Sequence, residues 1–143
     1  MTEEVIEESP TGWVAEHVRR YLATDGADGA TFHGYDSLLL TTRGRTSGKL
    51  RRTALIYGRD GDRVLLVASN GGAARHPHWY LNLDAHPEVG VQIGAERFTG
   101  RARTASAAER PRLWELMVGV FPQYATYQRE TDREIPVVVV ERG

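Results

Sequence analysis

Two tight turns, Arg59-Asp-Gly-Asp62 and Gly94-Ala95, each join a pair of runs rich in β-branched and apolar residues. Strands joined by so short a return pair antiparallel, because a parallel neighbour needs a crossover of a dozen residues or more. The first turn joins Arg51–Gly58 to Arg63–Ser69, and we expect these two strands to pair with each other. The second joins Val89–Ile93, where Val89, Val91 and Ile93 alternate with smaller or polar residues, to Glu96–Thr104. A leading run, Asp36-Ser-Leu-Leu-Leu-Thr-Thr42, brings the count to at least five strands, and Ile135-Pro-Val-Val-Val-Val-Glu141 closes the chain as a further apolar one. No βαβ alternation separates them. The expected class is therefore mainly β with α+β character, a small antiparallel barrel with helices packed outside it, closure removing the exposed sheet edges.

The helices are marked by their own punctuation. Ser9 as N-cap and Pro10 in the first turn open a helix to about Ala23, with Trp13, Val14, Val18, Tyr21 and Leu22 on one face. Before it lies an acidic stretch, Glu3, Glu4, Glu7 and Glu8, expected to be frayed; after it, Thr24-Asp-Gly-Ala-Asp-Gly29 reads as a connector. Pro77 suits the first turn of a short helix ending at His86-Pro87. Ser106-Ala-Ala-Glu109 is a capping box ahead of Leu113, Trp114, Met117, Val118 and Phe121 at helical spacing, and Pro122–Arg129 adds another short helix. Residues 1–35 thus form a tail, helix and connector, and 36–143 the barrel domain.

Composition removes several kinds of chemistry. With no cysteine among 143 residues, disulfides, thiolate-bound metals and thiol nucleophiles are excluded, and a reducing cytoplasm is the expected setting. No apolar run approaches a membrane span and the start of the chain carries no basic signal region, so neither membrane insertion nor export is expected. His76, His78 and His86 lack the spacing of a zinc site around Pro77, and no metal is expected. A sequence pI of about 6.5 argues against a nucleic-acid binder living on phosphate contacts. Monomer and homodimer both stay open.

Against that acidic background, Arg43-Gly-Arg-Thr-Ser-Gly-Lys-Leu-Arg-Arg52 places five cations among ten residues in a loop between strands. Glycines free the backbone to turn N–H groups toward a ligand, Thr46 and Ser47 add hydroxyls, and arginines grip phosphate bidentately. It is not a nucleotide-hydrolase loop, since three residues rather than four separate Gly44 from Gly48 and Leu50 follows Lys49. Ala68-Ser-Asn-Gly-Gly-Ala-Ala74 is a second glycine loop. Trp79, Tyr80, Phe121, Tyr124 and Tyr127 read first as packing residues, with tyrosine hydroxyls that seek partners when buried.

Taken in order, Leu39-Leu-Thr-Thr-Arg-Gly-Arg-Thr-Ser-Gly48 with Arg51, Tyr57-Gly-Arg-Asp-Gly-Asp-Arg63, Val67-Ala-Ser-Asn-Gly-Gly72, His76-Pro-His-Trp-Tyr-Leu-Asn-Leu83, His86-Pro-Glu-Val89 and Ile135-Pro-Val137 closely resemble the deazaflavin-dependent nitroreductases and F420H2-dependent quinone reductases. The resemblance runs from about residue 36 to the C-terminus. It implies a split β-barrel of the FMN-binding-like kind that binds reduced coenzyme F420 and passes a hydride to a small electron-poor acceptor: a quinone, a nitroaromatic or a conjugated enone. Carried over residue by residue, it implies coenzyme contacts at Arg45, Thr46, Ser47, Gly48, Arg51, Ala54, Ser69, Asn70, Gly71, His76, Pro77 and Trp79. The acceptor side is implied at Trp13, Ile56, His78, Phe121, Tyr124 and Tyr127, with Tyr124 or Tyr127 donating to the acceptor oxygen that gains charge. Thr46 and Asn70 stand where relatives commonly carry a cation, with Lys49, Arg52 and Arg75 nearby in sequence to compensate. The competing reading is a non-catalytic carrier of the deazaflavin coenzyme.

Overall fold

The computed structural model describes residues 6–7, 12–24, 31–32 and 35–142, with side chains over 16–24 and 35–142. The strands are β1 (Ile6–Glu7), β2 (Thr31–Phe32), β3 (Tyr35–Arg43), β4 (Leu50–Ile56), β5 (Gly58–Asp60), β6 (Arg63–Val67), β7 (Glu88–Ile93), β8 (Glu96–Thr104) and β9 (Val137–Arg142). The helices are α1 (Gly12–Ala23), α2 (His78–Ala85), α3 (Arg110–Val120) and α4 (Gln123–Arg129). The Ser9–Pro10 start of the first helix and the connector after Thr24 lie outside the described residues. Part of the stretch expected to fray is a strand: β1 runs parallel to β4, Ile6 opposite Leu50.

Along the sheet the order is β1-β4-β3-β7-β8-β9-β6-β5, with β2 on β3, and every pairing except β1–β4 is antiparallel. The second hairpin forms as expected, Ile93 opposite Glu96 with Gly94 at φ 61°. The first forms only close to its turn. Gly58–Asp60 pairs antiparallel with β6, Asp60 opposite Arg63, while Leu50–Ile56 pairs with β3 instead. The reason lies at Gly58, which packs so closely under α3 that a Cβ there would meet Met117 Sδ at 2.5 Å. Drawn onto α3, the chain leaves the β3 partnership at Tyr57 and begins a new strand.

Hydrogen bonding leaves the sheet open, with β4 carrying β1 at one end and β5 at the other, so the expected closure is not made. The sheet still curls. Leu38 and Leu40 of β3 share one buried cluster with Val64 and Leu66 of β6, although β7, β8 and β9 intervene along the sheet. Leu83 of α2 plugs this cluster. Strands β6 and β9 are buried on both faces, which is why their sequence is continuously apolar rather than alternating. Val64, Leu66, Val138 and Val140 face inward, while Leu65, Val67, Val137 and Val139 pack with Leu113 and Met117 of α3 and Tyr124 of α4. Each such side chain contributes roughly 1.5–3 kcal/mol of burial.

On the far side, Val18 and Tyr21 of α1 cover Leu39 and Ala54, the outward residues of β3 and β4. The capping box closes as its spacing predicts: Ser106 N–H donates to Glu109 Oε1 at 2.8 Å and Glu109 N–H to Ser106 Oγ at 3.3 Å.

Candidate functional site

The basic loop is the turn of the β3–β4 hairpin, where Arg43 pairs with Leu50. Gly44 N–H donates to Lys49 O at 2.7 Å and Gly48 N–H to Gly44 O at 2.8 Å, with Gly48 at φ 72°. Gly44 has a steric reason of its own: a Cβ there would meet Ser47 Oγ at 2.6 Å and stand 3.5 Å from Arg51 Nε. Its absence lets the Arg51 guanidinium fold against the loop. Thr46, Ser47 and Gly48 are exposed, and Ser47 Oγ accepts from Lys49 N–H at 3.2 Å.

Arg45 is tied to α2. Its backbone N–H and Nη1 both donate to Asn82 Oδ1, at 3.1 and 2.9 Å, and Nη2 lies 3.4 Å from His78 Nδ1. Asn82, 3% exposed, completes itself by donating to Thr42 Oγ1 at 3.4 Å. Helix α2 therefore aims His78 and Asn82 at the first loop. It begins one residue later than the sequence reading has it, with Pro77 as its extended N-cap (φ −66°, ψ 152°) rather than inside its first turn.

The second loop is a left-handed turn, Asn70, Gly71 and Gly72 at φ 48°, 64° and 83°. Glycine is required at the last of these, where a Cβ would stand 2.8 Å from Glu130 Oε2 and 3.2 Å from Tyr127 O. The loop thus lies against the end of α4. Arg133 holds it, donating to Ala68 O (3.1 Å), Ser69 O (2.7 Å) and Ala73 O (2.9 Å) and meeting His76 Nδ1 at 3.1 Å. Burial, then the Arg133 charge, push His76 below its ordinary value, against the opposing pull of Asp84. The neutral ring so favoured keeps a lone pair for Arg133.

Phe121 stands at the α3–α4 junction with its ring 4.9 Å from Tyr124 and 6.4 Å from Tyr127, and Tyr35 of β3 meets it edge-on at 4.8 Å. Tyr124 is 5% exposed. Burial, then the neighbouring Tyr127, push its hydroxyl well above the usual tyrosine value, so it stays protonated. Tyr127 is only half-buried.

The sequence-derived set divides accordingly. Arg45, Ser47, Gly48 and Arg51 gather at the first loop with His78, while Ser69, Asn70, Gly71 and His76 gather at the second with Tyr127. The stretch from His76 to Asn82 touches both groups. Trp79 packs on the buried cluster that Leu38 and Leu66 share, edge-on to Tyr80 at 6.5 Å. Ala54 lies under α1, and Ile56, half-buried, ends β4 opposite Ser37. Trp13 lies within α1, its side chain outside the described set. Two concavities of about 520 and 570 Å3 open over Thr41, Gly90 and Thr99 on the outer face of β3, β7 and β8, and none of the proposed coenzyme contacts lines either.

Asn82 and Arg133 are the residues that sequence reasoning passed over. Asn82 stands inside the Pro-x-Trp-Tyr-x-Asn-Leu segment, so its signal was present; Arg133 is one charge in a turn, bonded to carbonyls 60 to 65 residues away, and nothing local marks it.

Comparison with known proteins adds an independent finding. A family model described as F420H(2)-dependent quinone reductase matches residues 13–142. An F420H(2)-dependent quinone reductase of Mycobacterium tuberculosis is 41% identical over 130 residues, covering 88% of this chain and 87% of that protein. Among solved structures, an F420-H2 dependent reductase superposes with TM-score 0.68 at 42% identity, covering 73% of this chain and 93% of the other. A domain-swapped dimer superposes with TM-score 0.71 at 41% identity, covering 93% and 100%.

Proposed function

The chain belongs to the F420H(2)-dependent quinone reductase family, and from that premise we propose that it transfers a hydride from reduced coenzyme F420 to a planar, electron-poor acceptor, a quinone foremost. One observation carries the reading to this chain's own residues: His78 and Asn82 hold Arg45, while His76, through Arg133, is joined to Ser69. Two glycine loops suited to anions are thereby tied to one short stretch of α2 and its lead-in.

The donor set fits an anionic, phosphate-bearing group. Arg45 spends only part of its guanidinium on Asn82 and His78, the Arg51 guanidinium lies beside Gly44, and the hydroxyls of Thr46 and Ser47 are exposed. When bound, the coenzyme supplies the hydride. Phe121 and Tyr127 offer a flat aromatic wall for the acceptor, and the hydroxyl of the half-buried Tyr127 donates to the oxygen that gains charge. The deeply buried Tyr124 supports that wall by packing.

We also read the curled sheet as a split barrel: β3 and β6 share one core without sharing hydrogen bonds. The likeness to a domain-swapped dimer supports self-association, which sedimentation measures directly.

The test is to mix purified protein with reduced F420 and menadione and follow recovery of the coenzyme's visible absorbance. Recovery that scales with protein concentration is expected. Tight binding of the coenzyme with no turnover across quinones, nitroaromatics and enones would leave a carrier instead.

A further inference from the structure

We infer that Arg133 is a positioning residue, setting the second glycine loop so that the backbone N–H groups of Asn70 and Gly71 meet the anionic part of the coenzyme. The inference rests on the F420 reading above and adds to it residues that the resemblance leaves unassigned.

The turn's own hydrogen bonds show which groups remain. Gly72 N–H donates to Ser69 O at 3.0 Å and Ala73 N–H to Asn70 O at 3.1 Å, closing the turn on itself. The N–H groups of Asn70 and Gly71 have no acceptor among the described residues. They stand side by side at the apex of a left-handed turn, where successive N–H groups form an anion-binding concavity. What fixes their direction is the placement of the carbonyls on either side. Arg133 collects those of Ala68 and Ser69 before the turn and of Ala73 after it, so one rigid cation spans both legs. The carbonyls are drawn to the guanidinium and kept off the ligand.

Arginine is suited to this and lysine is not. A planar fork reaches carbonyls in several fixed directions, whereas an ammonium on a flexible stem satisfies them singly. Arg133 is itself anchored: its carbonyl accepts from Gln128 Nε2 at 2.8 Å, and Gln128 Oε1 accepts from Ile135 N–H at 2.9 Å. Gln128 belongs to α4, the helix of Tyr124 and Tyr127. The coenzyme loop and the proposed acceptor wall therefore take their relative position from one junction.

Two measurements test this. In wild-type protein, backbone amide NMR during titration with oxidised F420 is expected to move Asn70 and Gly71 more than Gly72 and Ala73; unshifted Asn70 and Gly71 amides with coenzyme bound elsewhere overturn the inference. In Arg133→Lys and Arg133→Gln, the coenzyme Kd is expected to rise about tenfold or more, with kcat at saturating coenzyme and the acceptor KM within about threefold of wild type. Added guanidinium ion is expected to recover part of the affinity of Arg133→Gln. Folded variants with wild-type Kd sink the positioning role and leave the reductase reading standing, while wild-type protein that binds no F420 sinks both.

Discussion

The hydroxyl of Tyr21 accepts a hydrogen bond from the backbone N–H of Gly94 at 2.6 Å, joining α1 to the β7–β8 turn across 73 residues of chain. The same hydroxyl lies 3.3 Å from Gln92 O and 3.4 Å from Ser37 O, and the side chain is 0% exposed. Tyr21→Phe keeps the ring's packing and leaves the partly buried Gly94 N–H without its partner, a loss of about 1–3 kcal/mol. We expect the thermal midpoint to fall by several degrees, on the order of 2–8 °C. An unchanged midpoint in a melting experiment means that this bond does not fasten α1.

Asn82 offers a parallel case with a functional readout. It is buried and spends its oxygen on Arg45 and its amide on Thr42. Asn82→Leu fills a similar volume but strands the Arg45 N–H groups, so the first loop loses its tether to α2. The expected result is a coenzyme Kd raised by about tenfold, corresponding to roughly 1.4 kcal/mol, with kcat little changed. Coenzyme titration beside a melting curve separates this from simple unfolding.

How far the sequence carried these results varies by element, and the division is physical. The β7–β8 hairpin and the Ser106–Glu109 box were legible because their determinants are local: Gly94 at positive φ, and a reciprocal pair three residues apart. The break between β4 and β5 was not, since it depends on Gly58 meeting Met117 of α3, a contact that no periodicity encodes. The same holds for the candidate site. Arg45 and Ser69 stood out within glycine loops, whereas the groups that hold them, Asn82 and Arg133, act across 37 and 64 residues of chain. Closure of the barrel was inferred from a general dislike of free edges, a preference that β1 meets in part by pairing along β4.

Burial separates the two tyrosines of α4. Tyr124 is deep in the cluster with Leu113 and Met117 and its hydroxyl is held protonated, while Tyr127 is half-exposed. Tyr127→Phe is expected to lower kcat on the order of a hundredfold, the cost of one donor to a developing oxyanion. Tyr124→Phe is expected to leave kcat within about threefold. Steady-state rates with menadione decide between them, and a double Phe variant with wild-type rate would falsify any polar role for either.

Acid sensitivity follows from Glu109. Its carboxyl is lowered from 4.5 to about 2, first by the Arg103 hydrogen bonds, then by the Ser106 N–H of the capping box. A folded-state value below the unfolded one means that the fold favours the ionised form, so this contribution is complete above about 4.5 and is lost as pH falls toward 2. Asp60, held well below the carboxylate range by hydrogen bonds to Arg112 and Arg63, acts with the same sign. Both groups are partly exposed, so screening by salt reduces their effect. Thermal midpoints are therefore expected to hold from neutrality to about pH 5 and to decline below 4.5. In Glu109→Gln the decline is expected to be shallower and the neutral-pH midpoint lower; a variant whose acid limb overlays the wild type shows that Glu109 ionisation is not linked to folding.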